Sequence, residues 1–519
     1  MWISRAGLLA TAFGMASPVM AEAPLSAIDW LSQSVATPAT LPRTQPPNGP
    51  GVDLGHPTSP MSSSGPITVT PLGRQVPVTL GLAPAGRDGL PRTLWGISPS
   101  ADLARKLTAV PADTLPAIRS LLYSILLAEL AAPADGDPQE ALFLARVDKL
   151  LDLGALDPAL ALLEQLDKPK PETFRRWFDI SLLLGHENYA CEVMDRSPEI
   201  APTFPARIYC LARLGDWNAA ALALRTGATL GTIDPPTADL LERFLDTEFA
   251  DGAPQLPVPD RPSPLTLRMM EAIGEPVATS TLPLAFAQAE LRSNIGWKAR
   301  IEAGERLART GAVPPNRLLG LYSERRAAAS GGVWDRVTAV QEFEAALDGR
   351  DAAVISKALP VVWKAMEQEE LEVFFAGLFG ARLAGLPLDP AASALALRIG
   401  LLSNDYEKVA LARSAADPAE AFLIGLAKGQ VTGTTAPDQM GVAVQAAFAT
   451  TQPQSEEETS RLEDGRLGAA LLDAMTMVTD GARGDLRSVT QGLILLRKAG
   501  LESVARRAAL ELVLLERRG

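Results

Sequence analysis

The sequence predicts an all-α chain: an α-solenoid of stacked helical hairpins, preceded by a signal peptide and a disordered Pro/Ser/Gly-rich tether. Three observations predict it. Apolar residues make up 47% of the 519 positions but aromatics only 5%, so the core is built from Ala, Leu and Val, the material of closely packed helices. From Ser98 onward the apolar residues recur at helical intervals in short segments, with Gly, Pro or Asp at the breaks and no sustained strand-like alternation. One helix-turn-helix junction also recurs about every 30 residues, which means helix pairs stacking in one direction.

Residues Met1–Ala21 read as a secretory signal. Arg5 supplies the positive start, Ala6–Ala16 the short apolar stretch with Leu8, Leu9 and Phe13, and Ser17-Pro18 ends any helix. Val19 and Ala21 are the small residues required ahead of cleavage after Ala21. A membrane anchor needs about 20 apolar residues, roughly twice this core. No cysteine follows the cleavage point to carry a lipid. The expected location is the periplasm, with release from the cell as the alternative. No integral membrane segment is expected later, because Leu121–Leu127 runs into Glu129 and Leu371–Leu386 is interrupted by Glu372 and Arg382.

Residues 22–97 read as a mostly disordered tether after a short helix candidate at Ile28–Ser34. Pro46-Pro47 and Ser62-Ser63-Ser64-Gly65 typify a segment that buries too little apolar surface to offset its ordering entropy. Ile67–Thr70 and Val78–Leu80 alternate like short extended pieces, and docking is expected near Leu94-Trp95-Gly96. Residues 98–250 form a first helical segment, with Asp102–Leu107, Pro116–Ala131, Gln139–Leu153 and Pro158–Leu166 in quick succession. The Pro-rich stretch 251–264 is the expected joint. A second segment, 265–519, carries a mobile loop near 429–460 around a short helix at Val442, and Leu486–Ala499 with Leu501–Arg517 cap the array.

The recurring turn is centred on Gly154, Gly185 and Gly215, 31 and then 30 residues apart, each with an alanine five residues later: Ala159, Ala190 and Ala220. Glycine ends one helix in the left-handed conformation, Asp or Asn caps the next, and the small alanine lets the two helices approach. Gly215-Asp216-Trp217-Asn218-Ala219-Ala220 resembles the tetratricopeptide repeat, whose junction reads Gly-Asp-Tyr-x-x-Ala, with Asp234-Pro235 at the closing proline position. The resemblance covers Gln139–Pro236. It is degenerate: the aromatic shifts to Tyr189 in the second copy, none follows Gly154, and the interval falls short of the family's 34 residues. Fainter echoes occur at Asn404-Asp405-Tyr406 with Val409, and at Gly500 with Ala505.

Little material for catalysis is present. With 48 Lys+Arg against 61 Asp+Glu, the net charge of −13 argues against nucleic acid. Two histidines and two cysteines in the chain point to no metal, no cofactor and no histidine-based centre. Cys191 lies near the start of one helix and Cys210 near the end of the next, so the two sit at one height and a disulfide is expected in an oxidising compartment; the alternative is two thiols packed separately. His56 and His186 have no ligand cluster beside them. Glu367, Glu369, Glu370 and Glu372 read as a solvated helix turn, and Arg506-Arg507 and Arg517-Arg518 as solvated helix faces and helix ends. Trp177 with Phe174 and Phe178, and Trp297, Trp334, Trp363, Phe374-Phe375 and Phe379, fall at helical spacing and are expected in the core.

The expected function is a non-enzymatic periplasmic scaffold or adaptor that binds a protein or peptide of a cell-envelope machine: secretion, wall assembly or a flagellar motor. A peptidoglycan-acting hydrolase or its regulatory subunit is the first alternative, although neither a P-loop nor G-x-S-x-G occurs. A small-molecule binder with its pocket between the two helical segments is the second. Exported protein is expected to begin at Glu22, which an intact-mass measurement of the mature chain checks.

Overall fold

The computed structural model describes residues 80–86, 89–246, 254–327, 329–449, 462 and 465–515. The signal peptide, Ile28–Ser34, His56, Ile67–Thr70 and Arg517-Arg518 lie outside the described residues. Among the described residues the chain is all α-helical with no strand, and β-pairing is limited to one isolated parallel bridge, Ala83 to Ala128.

The first helices are α1 (Ser100–Ala109), α2 (Pro116–Leu127), α3 (Ala141–Asp152), α4 (Leu156–Leu163), α5 (Pro171–Leu184), α6 (Glu187–Arg196), α7 (Phe204–Arg213), α8 (Trp217–Thr229) and α9 (Pro235–Leu245). From α3 to α9 each helix packs on the next. Local chemistry sets several starts. Thr203, Asp216 and Asp234 each accept a hydrogen bond from the backbone N–H three residues on, capping α7, α8 and α9. Proline at the start of α2, α5 and α9 gives up a donor that the first turn leaves unpaired in any case.

The second set is α10 (Pro264–Ala272), a 3-10 stretch (Leu284–Leu291), α11 (Trp297–Arg309), α12 (Pro315–Ser323), α13 (Val333–Gly349), α14 (Ala352–Glu367), α15 (Glu372–Leu383), α16 (Pro390–Leu401) and α17 (Tyr406–Leu411). The last are α18 (Pro418–Ala427), α19 (Gln439–Phe448), α20 (Leu467–Ala482), α21 (Leu486–Lys498) and α22 (Glu502–Leu514). The Pro-rich joint does not part the two sets: α10 packs back on α5 and α9, and the 3-10 stretch on α3 and α5. Arg268 of α10 reaches Glu187 of α6 at 2.7 Å, an ion pair whose acid is 2% exposed.

The chain then closes on itself. Helix α20 packs against α1, and α22 against α2. The seam contains the Lys106–Asp473 ion pair, the hydroxyl pair Thr114–Thr479 at 2.5 Å, and the Ala117 N–H donating to Glu511 Oε2 at 2.8 Å. The caps expected at the C-terminus are thus joined to the N-terminal helices instead of ending an open array.

Three expected boundaries are corrected. Residues 80–86 and 89–97, expected in the tether, are held in place. Leu82 and Ala83 donate to the Leu127 carbonyl, Gln165 clamps both backbone groups of Gly81, and Leu90, Leu94 and Trp95 are buried. Arg146 explains why this segment docks. Its guanidinium donates to the carbonyls of Leu126 and Ala128 at the end of α2 and to Leu80, pairing carbonyls that the helix end leaves open. Burial without a carboxylate lowers the Arg146 pKa to about 10. For the same reason α2 stops at Leu127, short of Ala131: residues 128–131 bond to the docked segment, with Ala131 N–H donating to Arg92. Finally, residues 429–449 of the expected mobile loop are fixed. Gln445 donates to the carbonyls of Val431 and Thr434, and Thr490 and Arg497 of α21 donate to the carbonyls of Ala443 and Ala447 on α19.

The seam carries a pH signature. Burial pushes the Glu511 carboxyl up to about 7, against the pull of the Ala117 N–H and of Arg507 and Arg119. The folded state therefore holds this proton more tightly than the unfolded chain. Its contribution to stability is full below the ordinary value of 4.5 and is lost as pH rises through about 7. Glu511→Gln is expected to flatten the fall in melting temperature across that window and to melt higher than the wild type at alkaline pH; melting curves over a pH series check both.

Candidate functional site

The three turn glycines adopt positive φ: +74° at Gly154, +82° at Gly185 and +91° at Gly215. Ala159, Ala190 and Ala220 are fully buried. What covers the turns changes along the array. A Cβ at Gly154 would lie 2.7 Å from a Leu307 methyl and 2.9 Å from Leu284, and the Gly154 carbonyl accepts from Gln288 at 2.7 Å. The first turn is therefore a docking point for the second half of the chain. At Gly185 the neighbour is Arg292, at 3.3 Å, and at Gly215 nothing lies within 4 Å. Around this uncovered end Tyr189, Leu214, Trp217, Leu222 and Leu230 are exposed. Trp217 is 51% exposed, and its ring lies 6.5 Å from that of Phe244 between centroids.

Cys191 on α6 and Cys210 on α7 form a disulfide, with Cα atoms 5.0 Å apart and both residues buried. Beside it, Glu187 at the start of α6 accepts from Tyr209 at 3.3 Å and from Arg268. Burial raises the Glu187 pKa, but the Arg268 hydrogen bond, a backbone N–H of its own turn and the charges of Arg268 and Arg213 together outweigh it, and the carboxyl is held below its usual range. His186 directly precedes α6 and donates its backbone N–H to Ser181. Among the described residues no group of three or more His, Cys, Asp and Glu side chains is arranged to hold a metal ion.

A cavity of about 750 Å³ lies where the first, middle and last parts of the chain meet. Its wall draws on α2, the 3-10 stretch, α11 and its following turn, the α14–α15 turn, the end of α20, and α22. Five arginines face it (Arg119, Arg306, Arg309, Arg483 and Arg507) against four acids (Asp113, Asp152, Glu370 and Glu372), an excess of cations in a chain of net charge −13. Asp152 pairs with the buried Lys149 at 3.0 Å, and Arg306 donates to the carbonyls of Thr279 and Leu282. Burial lowers the Arg119 pKa and raises that of Tyr123, one helical turn further along α2.

Two expectations change at this wall. The acidic run at the end of α14 is solvated only in part: Glu370 is exposed, but Glu369 and Glu372 are held in the protein. Arg309 donates to the Glu369 carbonyl at 2.7 Å and pairs with its carboxylate, Arg336 approaches the same carboxylate at 2.9 Å, and Glu372 is 8% exposed. Arg507 is not on a solvated face but lines the cavity, while Arg506 bridges Glu502 and Glu407. The aromatic residues do follow their helical spacing inward: Phe174, Trp177, Phe178, Trp363, Phe374, Phe375 and Phe379 are buried, and Trp297 and Trp334 pack against that core. Sequence reasoning passed over Arg119 and Tyr123. The available signal was a cation at i and a phenol at i+4 on one face of the mostly apolar run Ala117–Leu127.

Compared with known proteins, the chain matches no family model, no curated protein and no solved structure.

The disulfide closes a loop of 19 residues, for which constraint of the unfolded chain is worth about 3 kcal/mol. Cys191→Ala with Cys210→Ala, or reduction by dithiothreitol, is expected to lower stability by about that amount in urea titrations.

Proposed function

We propose that this chain is an exported, non-enzymatic scaffold of tetratricopeptide-like helical hairpins that binds a protein or peptide of a cell-envelope machine. One observation carries the reading. Five of the exposed large apolar residues fall between Tyr189 and Leu230, and four of them, Leu214, Trp217, Leu222 and Leu230, lie on the α7–α8 hairpin, whose Gly215 turn has nothing over it. Exposed aromatic and aliphatic side chains on a rigid helical frame are the usual anchors of protein interfaces. The disulfide, which persists in oxidising compartments, supports export.

The test is affinity capture by the mature chain, Glu22–Gly519, from periplasmic and membrane extracts, with partners identified by mass spectrometry. A stoichiometric protein partner is expected. Trp217→Ala combined with Leu222→Ser should weaken its capture at least about tenfold without changing the melting temperature. A partner held equally by that variant, or no protein partner at all, overturns the reading.

A further inference from the structure

The cavity wall presents donors that the protein leaves without acceptors. Arg119 is 9% exposed and faces the cavity, yet among the described residues it has no hydrogen-bond or ion-pair partner. The Tyr123 hydroxyl on the same wall is buried and likewise unpartnered. Arg507 faces the same space from α22, its charge acting on Glu511 but with no hydrogen bond or ion pair among the described residues. Glu511, the fully buried acid whose charge acts on Arg119, gives its Oε2 to the Ala117 N–H and does not close on the guanidinium. A guanidinium has five donors and no acceptor, and the acids whose charge reaches Arg119, namely Glu511, Asp113 and Glu370, make no hydrogen bond to it. Among the described residues no acid of this wall hydrogen-bonds to the Arg119 guanidinium, which leaves its donors open to an anionic acceptor from outside the chain.

The rest of the wall limits what that acceptor is attached to. Val313, Phe374, Leu402 and Leu515 are apolar. A volume of about 750 Å³ holds a small organic molecule and not a folded partner. Asp113, Glu370 and Arg483 line the cavity and are also exposed, so it opens to solvent. We propose that the cavity is a binding site for a small organic oxyanion, a carboxylate or phosphate carried on an apolar body, with Arg119 as its principal anchor and Tyr123 and Arg507 as further donors. The site is separate from the exposed face around Trp217 and does not depend on the scaffold reading.

The test titrates the mature chain with N-acetyl-leucine, phenyl phosphate and inorganic phosphate, by calorimetry and by melting temperature, alongside Arg119→Gln, Tyr123→Phe and Trp217→Ala. At least one organic probe is expected to bind and raise the melting temperature, and the better of the two names the headgroup. Arg119→Gln should weaken it at least about tenfold and Tyr123→Phe about threefold, whereas Trp217→Ala should leave it unchanged. If Arg119→Gln does not fold, Tyr123→Phe carries the comparison. Failure of both organic probes to bind, equal binding by wild type and the cavity variants, or inorganic phosphate binding as tightly as phenyl phosphate each overturns the assignment.

Discussion

The structure depends on closure: the last helices pack against the first, and without that contact the cavity has no wall on one side. The seam is polar and apolar at once. Lys106 meets Asp473, Glu511 accepts the Ala117 N–H, and Trp95 lies so close to α20 that a Cβ at Gly468 would sit 2.7 Å from its ring and 2.9 Å from the Leu94 carbonyl. Gly468 in turn donates its N–H to Leu94, and Ile97 donates to Gly465. These partners are more than 360 residues apart in sequence. The entropy of bringing chain ends together grows only slowly with loop length, so a seam of such separation is affordable once the intervening helices have packed.

Within the closed array, buried arginine–carboxylate forks join helices that are not neighbours in sequence. Arg176 of α5 grips Asp148 of α3 at 2.5 and 2.8 Å, Arg268 of α10 holds Glu187 of α6, and Arg336 of α13 grips Glu305 of α11 at 2.8 and 2.6 Å. The Tyr322 hydroxyl donates to the same Glu305 at 2.7 Å. Desolvation offsets most of the attraction in such pairs, but removing one partner strands a buried charge at a cost of about 3–5 kcal/mol. Their physical effect is on register. A core rich in Ala and Leu packs almost equally well in several alignments, and a misaligned pair of helices would bury one of these charges alone.

Much of the local structure was legible in the residues. The Gly-Asp and Asp-Pro punctuation marked helix ends because its conformational effects act over a few residues. The cysteines were legible because one turn fixes both their heights. Other features were not, and each depends on what lies opposite. Arg507 reads as a solvated cation in any helix whose partner is unknown, and the acidic run after α14 reads as solvated until Arg309 and Arg336 are brought to Glu369. Residues 80–86 and 89–97 looked like tether because their composition is that of one. Their order comes from a distant arginine, Arg146, and from the Gly81 backbone, where a Cβ would stand 2.5 Å from the Glu129 nitrogen.

The sequence by itself determined that the chain is helical, where its helices turn, and that two cysteines sit at one height, since each follows from short-range sterics, capping and period. Only the tertiary structure decided that the chain closes on itself, that the turn at Gly154 is buried under Leu284 and Leu307 while that at Gly215 stands open, and that Arg119 faces a cavity without a hydrogen-bond partner among the described residues. These outcomes depend on surfaces hundreds of residues apart meeting face to face, and no local pattern encodes which surface will meet which.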